Sequence, residues 1–257
     1  MLIKQLSAFH ELDAMSDLQT AVWGFDPIDV VPSYIFVAAV RAGGLVLGAF
    51  DEDRLIGYAL GFRGYVDGHH FMYSHLVGVH PDHRDGGVGF ELKMAQKKFA
   101  LENELEKIVW TFNPMHSRNA RLNISKLGGR VSRYISPAKS DSAFKGFLTP
   151  RFEVTWDIHQ TNEEAAGWSE ATAIVRVGEN GFPLLQPGID VSGESLLSLP
   201  IPLNFDSMLE TDPERAQAWQ SMVMEFSGRV INHGFDVIDF KCDETSGHYL
   251  LSRRSVA

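Results

Sequence analysis

The chain has 257 residues, a net charge of −10 at neutral pH, 44% hydrophobic and 22% charged residues, and one cysteine. That is an ordinary globular composition with room for one large domain or two smaller ones. The acidic balance argues against nucleic acid or an anionic membrane as a partner. No apolar run approaches the ~18 residues of a membrane span, and the first residues lack a signal-peptide layout. Cys242 alone excludes an intramolecular disulfide and fits a reducing, cytoplasmic setting.

The elements follow in chain order. Residues 2–7 read as a short strand, and Leu12, Met15, Leu18 and Val22 recur at helical spacing. A second apolar helix spans 34–42 after Ser33, and Gly43-Gly44 can end it. Residues 45–50 and 54–63 read as strands around the polar turn 51–53, residues 65–69 as a loop, and 70–79 as the next strand. A glycine loop comes next. Beyond it a helix places Val88, Leu92, Ala95 and Phe99 on its buried face. Residues 108–112 form a strand, 117–127 a helix closed by Gly128-Gly129, and 130–136 and 152–158 two more strands.

After 158 the pattern changes. Residues 160–170 are a polar linker candidate, and 172–177 and 196–202 are strand candidates. Asp212-Pro213 starts a helix, with Asp at the cap and Pro at the first position. Trp219, Val223, Phe226 and Val230 make its apolar stripe, and Gly234 is a candidate C-cap. Residues 235–242 and 249–254 read as a hairpin around 243–247. The order is β-α-α-β-β-β-α-β-α-β-β over 1–158, with a smaller α+β unit over 159–257.

One stretch carries most of the chemistry. Residues 77–90 read Val-Gly-Val-His-Pro-Asp-His-Arg-Asp-Gly-Gly-Val-Gly-Phe, an apolar strand running through a turn into a helix. A loop of this kind presents backbone N–H groups at a helix N-terminus, where they and the helix dipole attract anions, phosphate above all. It is no P-loop, since no Gly-Lys-Ser/Thr follows, and the spacing of a dinucleotide fingerprint is absent. The loop Arg84-Asp85-Gly86-Gly87-Val88-Gly89 resembles the R/Q-x-x-G-x-G/A signature of the Gcn5-related N-acetyltransferases (the GNAT superfamily). The element order over 1–158 matches that fold as well.

The resemblance implies an α/β (α+β) fold with a mixed central sheet flanked by helices, followed by an additional α+β extension. It divides the chain into an acyl-CoA-binding domain at 1–158 and an extension at 159–257. It implies acetyl-CoA as acyl donor and the amine of a small molecule as acceptor. Backbone groups of Leu76, Val77, Gly78 and Val79 would pair with the pantetheine arm. Arg84, Asp85, Gly86, Gly87, Val88, Gly89 and Phe90 would hold the pyrophosphate, with Asn113 and Asn119 as further polar contacts. The N–H of Val79, or of Val77, would donate to the developing oxyanion. Arg84, Arg118, Arg121 and Lys126 would supply local positive charge in an acidic chain.

The family's general base is often a Glu on this strand; here the nearest ionisable group is His75, whose ordinary pKa near 6.5 suits proton abstraction. The family's general-acid Tyr is missing. Aligned on Leu127-Gly128, Ser117 falls on the family's Asn, Ala120 on its Ala, Asn123 on its Leu and Ile124 on its Tyr, leaving Tyr134 or Tyr73 as candidate proton donors. Five of the ten histidines lie at 69, 70, 75, 80 and 83. Their spacing gives neither His-x-His nor His-x-x-x-His, and no metal site is expected.

Trp110-Thr111-Phe112-Asn113-Pro114, Arg118-Asn119-Ala120, and the Leu199–Pro202 and Ala216–Trp219 segments resemble a bacterial GNAT subfamily with a C-terminal extension. The extension is a candidate for packing on the core or for a homodimer contact. A non-catalytic acyl-CoA sensor on the same scaffold is the rival reading.

Overall fold

A computed structural model describes residues 1–136, 150–162, 165–186 and 190–254. The chain forms two compact units. The first is Met1–Trp110 with Asp157–Gln160, and the second is Thr111–Trp156 with Thr161–Ala257.

In the first unit, β1 (Leu2–Gln5), β2 (Leu45–Asp51), β3 (Arg54–Val66), β4 (His69–Val79) and the start of β5 (Lys107–Phe112) lie side by side in that order. All neighbours are antiparallel except β4 and β5, which run parallel. Helices α1 (Phe9–Trp23) and α2 (Ser33–Arg41) cover one face. There Leu12, Met15, Leu18, Phe36 and Ala39 bury against Val46, Tyr58 and Leu60. Helix α3 (Val88–Glu102) covers the other face.

Two sequence expectations shift here. Residues 65–69 are not a loop. β3 and β4 continue to Val66 and from His69, with Asp67 (φ 51°) and Gly68 (φ 87°) making a two-residue hairpin. Left-handed backbone at both turn positions suits Asp-Gly and matches the twist of the strands. The buried face of α3 is Val88, Leu92, Lys93, Gln96 and Ala100, while Ala95 and Phe99 are only half-buried. Apolar spacing missed this face because two of its members are polar.

The second unit orders β7 (Arg151–Asp157), β6 (Arg130–Ile135), β12 (Phe235–Cys242), β13 (Ser246–Arg253), β11 (Leu196–Pro202) and β8 (Thr172–Ala173) in one sheet. β9 (Val175–Val177) and β10 (Pro183–Leu185) pair antiparallel as a two-stranded ribbon of their own, with β9 against β11. Its helices are α4 (Ser117–Ala120), α5 (Phe205–Thr211) and α6 (Pro213–Val230). Asp212 caps α6 through its carboxylate, which accepts from the Arg215 N–H at 3.1 Å. The helix expected over 117–127 is α-helical only to Ala120; Arg121–Lys126 is a π-helical turn. The α5 and β10 segments were not foreseen. Gly234 (φ 111°) ends a short 3-10 turn after α6 rather than α6 itself. No described helix is long and apolar enough to cross a membrane.

Candidate acyl-CoA site

The site is assembled by β4, the loop after it and α3, all in the first unit. β4 carries one residue more than β3 between consecutive rungs, Leu60 opposite Leu76 and Gly61 opposite Ser74, so His75 is the extra residue of a β-bulge. Pairing with β5 stops close by: the last rung is Tyr73 with Val109. Beyond it the two strands part, and Ser74 and Trp110 are the first residues past the fork.

Beyond the fork β4 is paired only with β3. The His80 N–H donates to the Ile56 carbonyl at 2.8 Å. In an antiparallel pair, rungs alternate between hydrogen-bonded and open. Counting back from His80, Gly78 and Leu76 spend their backbone groups on β3. Val77 and Val79 turn theirs to the opposite edge. Gly78 is closely packed: a Cβ there would lie 3.0 Å from the Trp23 ring and 3.1 Å from Tyr58.

After β4 the chain makes a 3-10 turn at Pro81–His83, where the His80 imidazole accepts from the Asp82 N–H at 3.3 Å. Asp85 (φ 65°) and Gly87 (φ 82°) are both left-handed. Gly87 is the N-cap of α3, and no side chain caps the helix there. Val88, Gly89 and Phe90 occupy the first turn, whose N–H groups have no carbonyl one turn earlier. A Cβ on Gly87 would meet nothing within 4 Å. Gly87 is therefore demanded by its backbone angle, and the space in front of it is open.

Arg84 is bonded to two backbone carbonyls. Its guanidinium donates to the Val22 carbonyl at 2.8 Å, at the C-terminal end of α1, and to the Val79 carbonyl at 3.4 Å. A cation at a helix C-terminus is favourably placed. The side chain ties the loop to α1 and to the last residue of β4.

His75 stands open to solvent, 5.6 Å from the Phe62 ring and 6.2 Å from Tyr73 between ring centres. Partial desolvation by these neighbours lowers its pKa below the ordinary 6.5, favouring the neutral imidazole. The other four histidines of the run scatter. His69 pairs with Glu106 at 2.7 Å, His70 stacks near Tyr65, and His80 and His83 line the loop turn. Among the described residues no three His, Cys, Asp or Glu side chains converge as a metal site would need.

Sequence reasoning missed a buried polar cluster under the fork. Lys93 is 3% exposed, its Nζ donating to Ser74 Oγ at 2.9 Å and lying 3.6 Å from the centre of the Trp110 ring. Ser74 Oγ donates in turn to Gln96 Oε1 at 2.9 Å. Burial holds the Lys93 pKa well below its usual value. Only the alternation of β4, which turns Ser74 towards α3, hinted at this cluster.

The remaining expected residues belong to the second unit. Asn113 Oδ1 accepts from the Met115 N–H at 3.0 Å, stabilising its own turn, and Asn119 is exposed. Ser117, at the family's Asn position, donates to the Leu203 carbonyl at 2.7 Å. Ile124, at the family's Tyr position, is buried. Tyr134 is 7% exposed on β6, edge-on to Phe152; burial raises its pKa, partly offset by a hydrogen bond with Ser136. A shallow cavity of about 300 Å³ in this unit is lined by Arg121, Ser125, Phe240, Lys241 and Cys242, none of them among the expected site residues.

Residues 11–122 match the model of the acetyltransferase (GNAT) family. In a sequence search of curated proteins, none matches this chain. Solved structures share the fold. A ribosomal-protein-alanine N-acetyltransferase from Brucella melitensis is 19% identical with a TM-score of 0.51, covering 61% of this chain and 99% of its own. A putative acetyltransferase from Salmonella typhimurium, solved with its cofactor acetyl-CoA, is 17% identical with a TM-score of 0.52, covering 65% and 98%. The ribosomal-protein-S18-alanine N-acetyltransferase from Escherichia coli is 13% identical with a TM-score of 0.51, covering 64% and 98%. With a β4 that bulges and forks from β5, and with a glycine-capped α3 behind it, residues 11–122 match the GNAT acetyltransferase family model and share the fold of the solved acetyltransferases.

Proposed function

We propose that this protein transfers an acyl group, acetyl in the first instance, from acyl-CoA to the amine of a small molecule. The observation that carries the reading is the continuity of the open edge of β4 with the N-terminus of α3. A pantetheine arm can pair with Val77 and Val79 in the manner of a strand, while the loop N–H groups from Asp85 to Phe90 receive the pyrophosphate. Leu76 and Gly78 then serve by shaping the strand, and Arg84 by fixing the loop. The Val79 or Val77 N–H polarises the thioester carbonyl. His75, neutral at physiological pH, accepts the amine's proton as the amine attacks. The C–S bond breaks in a ternary complex, CoA leaves as thiolate and takes a proton from water, and His75 returns the amine's proton to solvent.

Asn113, Asn119 and Tyr134 stay as expectations of the family resemblance, as do the division at 158/159, the cytoplasmic setting and a homodimer. The rival reading, an acyl-CoA sensor without turnover, draws on Ile124 standing where the family places its acid. Thiol release from acetyl-CoA against a panel of small amines separates the two. Turnover that falls about 100-fold in His75→Ala, with acetyl-CoA affinity within a factor of about three, is the expected outcome for a general base. A folded His75→Ala enzyme at full rate removes His75 from the mechanism, and wild-type binding without turnover on any amine favours the sensor.

A further inference from the structure

We infer that Lys93 closes the narrow end of the fork between β4 and β5 and limits the acyl group to short chains, acetyl before butyryl or longer. The inference rests on the acyl-CoA reading of β4. If the pyrophosphate sits at the loop after Val79 and the arm pairs back along Val79 and Val77, the thioester end points towards Ser74. The run from Val79 to Ser74 is roughly 16 Å at ~3.3 Å per residue. The strands are hydrogen-bonded again from Tyr73 and Val109 backwards, so the open channel ends there. The first residue of each strand past that rung is held by the same side chain: Lys93 Nζ lies 2.9 Å from Ser74 Oγ and 3.6 Å from the Trp110 ring centre.

The physical character of this stop matters as much as its position. The Lys93 stem fills the space on the α3 side, and its amine is linked through Ser74 to Gln96, whose Nε2 is buried without a partner among the described residues. The cluster is rich in donors and poor in acceptors. An acyl chain extended by two or more methylenes would have to displace the Lys93 stem or break the Ser74 hydrogen bond. It would offer no acceptor in return, and a buried donor left unmet is costly. An acetyl methyl stops short of that conflict.

The test needs no acceptor amine. Dissociation constants of acetyl-CoA, butyryl-CoA, hexanoyl-CoA and free CoA are measured by calorimetry for the wild type, Lys93→Ala and Lys93→Met. The wild type is expected to bind acetyl-CoA at least ~10-fold more tightly than hexanoyl-CoA, since forcing extra methylenes into a packed site strains it. Lys93→Ala, which empties the stem's volume, should bring the two within ~3-fold, and Lys93→Met, which refills it, should restore the preference. General damage to the fold would weaken all four ligands and leave their ratios unchanged. Wild type that binds hexanoyl-CoA as well as acetyl-CoA overturns the inference, even if Lys93→Ala fails to fold. So does a folded Lys93→Ala with the wild-type ratio. A wild type that binds none of the four overturns instead the acyl-CoA reading on which the inference stands.

Discussion

His75 is where one strand has a residue too many. A regular strand would send this imidazole to one face or the other in step with its neighbours. The bulge lets Ser74 turn to α3 while His75 stays in solvent beside Phe62 and Tyr73. Its lowered pKa implies that activity dependent on the neutral imidazole has the midpoint of its acid limb below pH 6.5. A pH–rate profile whose acid limb lies above 6.5 would contradict that assignment. Tyr58 makes the opposite case: it is fully buried in the α1–α2 core, and its hydroxyl has no partner among the described residues. Tyr58→Phe should therefore raise stability by about 1 kcal/mol, since only an unmet hydroxyl is lost; a destabilised Tyr58→Phe, measured by chemical denaturation, would mean the hydroxyl is bonded after all.

The same contrast appears along α3. Its start could be read from the sequence, because Gly87 at a left-handed position and a glycine-rich approach leave few alternatives to a helix N-terminus. Its buried face could not, because Lys93 and Gln96 are polar and gave the apolar count no weight. Burial of Lys93 has a consequence for stability. Its folded-state pKa lies well below the ordinary 10.5, so the unfolded chain binds the extra proton between those two values. Stability must then rise with pH across that window and level off near 10.5. In Lys93→Met that slope should disappear, with a gain of about 1 kcal/mol or more at the acid end of the window. Denaturation curves for the two proteins at several pH values check this, and parallel pH dependence would show that Lys93 does not carry the slope.

Over residues 1–136 element order was legible because strands and helices alternate with clear turn residues; farther on the α6 cap at Asp212 could be read directly, while α5 and β10 could not. What stayed hidden depends on partners distant in sequence. The Arg84 bond to the Val22 carbonyl and the Ser117 bond to the Leu203 carbonyl join residues 62 and 86 positions apart, beyond the reach of any local pattern. The π-helical turn at Arg121–Lys126 has no periodic signature of its own. Net charge acts at this scale too. A protein of charge −10 repels a polyanionic ligand at long range, and Arg84 is already engaged by backbone carbonyls. The association rate of acetyl-CoA should accordingly increase as salt is raised from about 20 to 200 mM, because screening shortens the reach of that repulsion. A rate that falls steeply with salt would point to a strong local cationic funnel instead.

The central claim is that the Gly87 turn and the first N–H groups of α3 receive the pyrophosphate of acyl-CoA. Calorimetric titration of the wild type and of Gly87→Glu with acetyl-CoA tests it most directly, because the space in front of Gly87 is open and a carboxylate there would repel the phosphates. Micromolar binding by the wild type, lost in a folded Gly87→Glu protein, is the predicted result. Equal binding by both, or binding by neither, would contradict it.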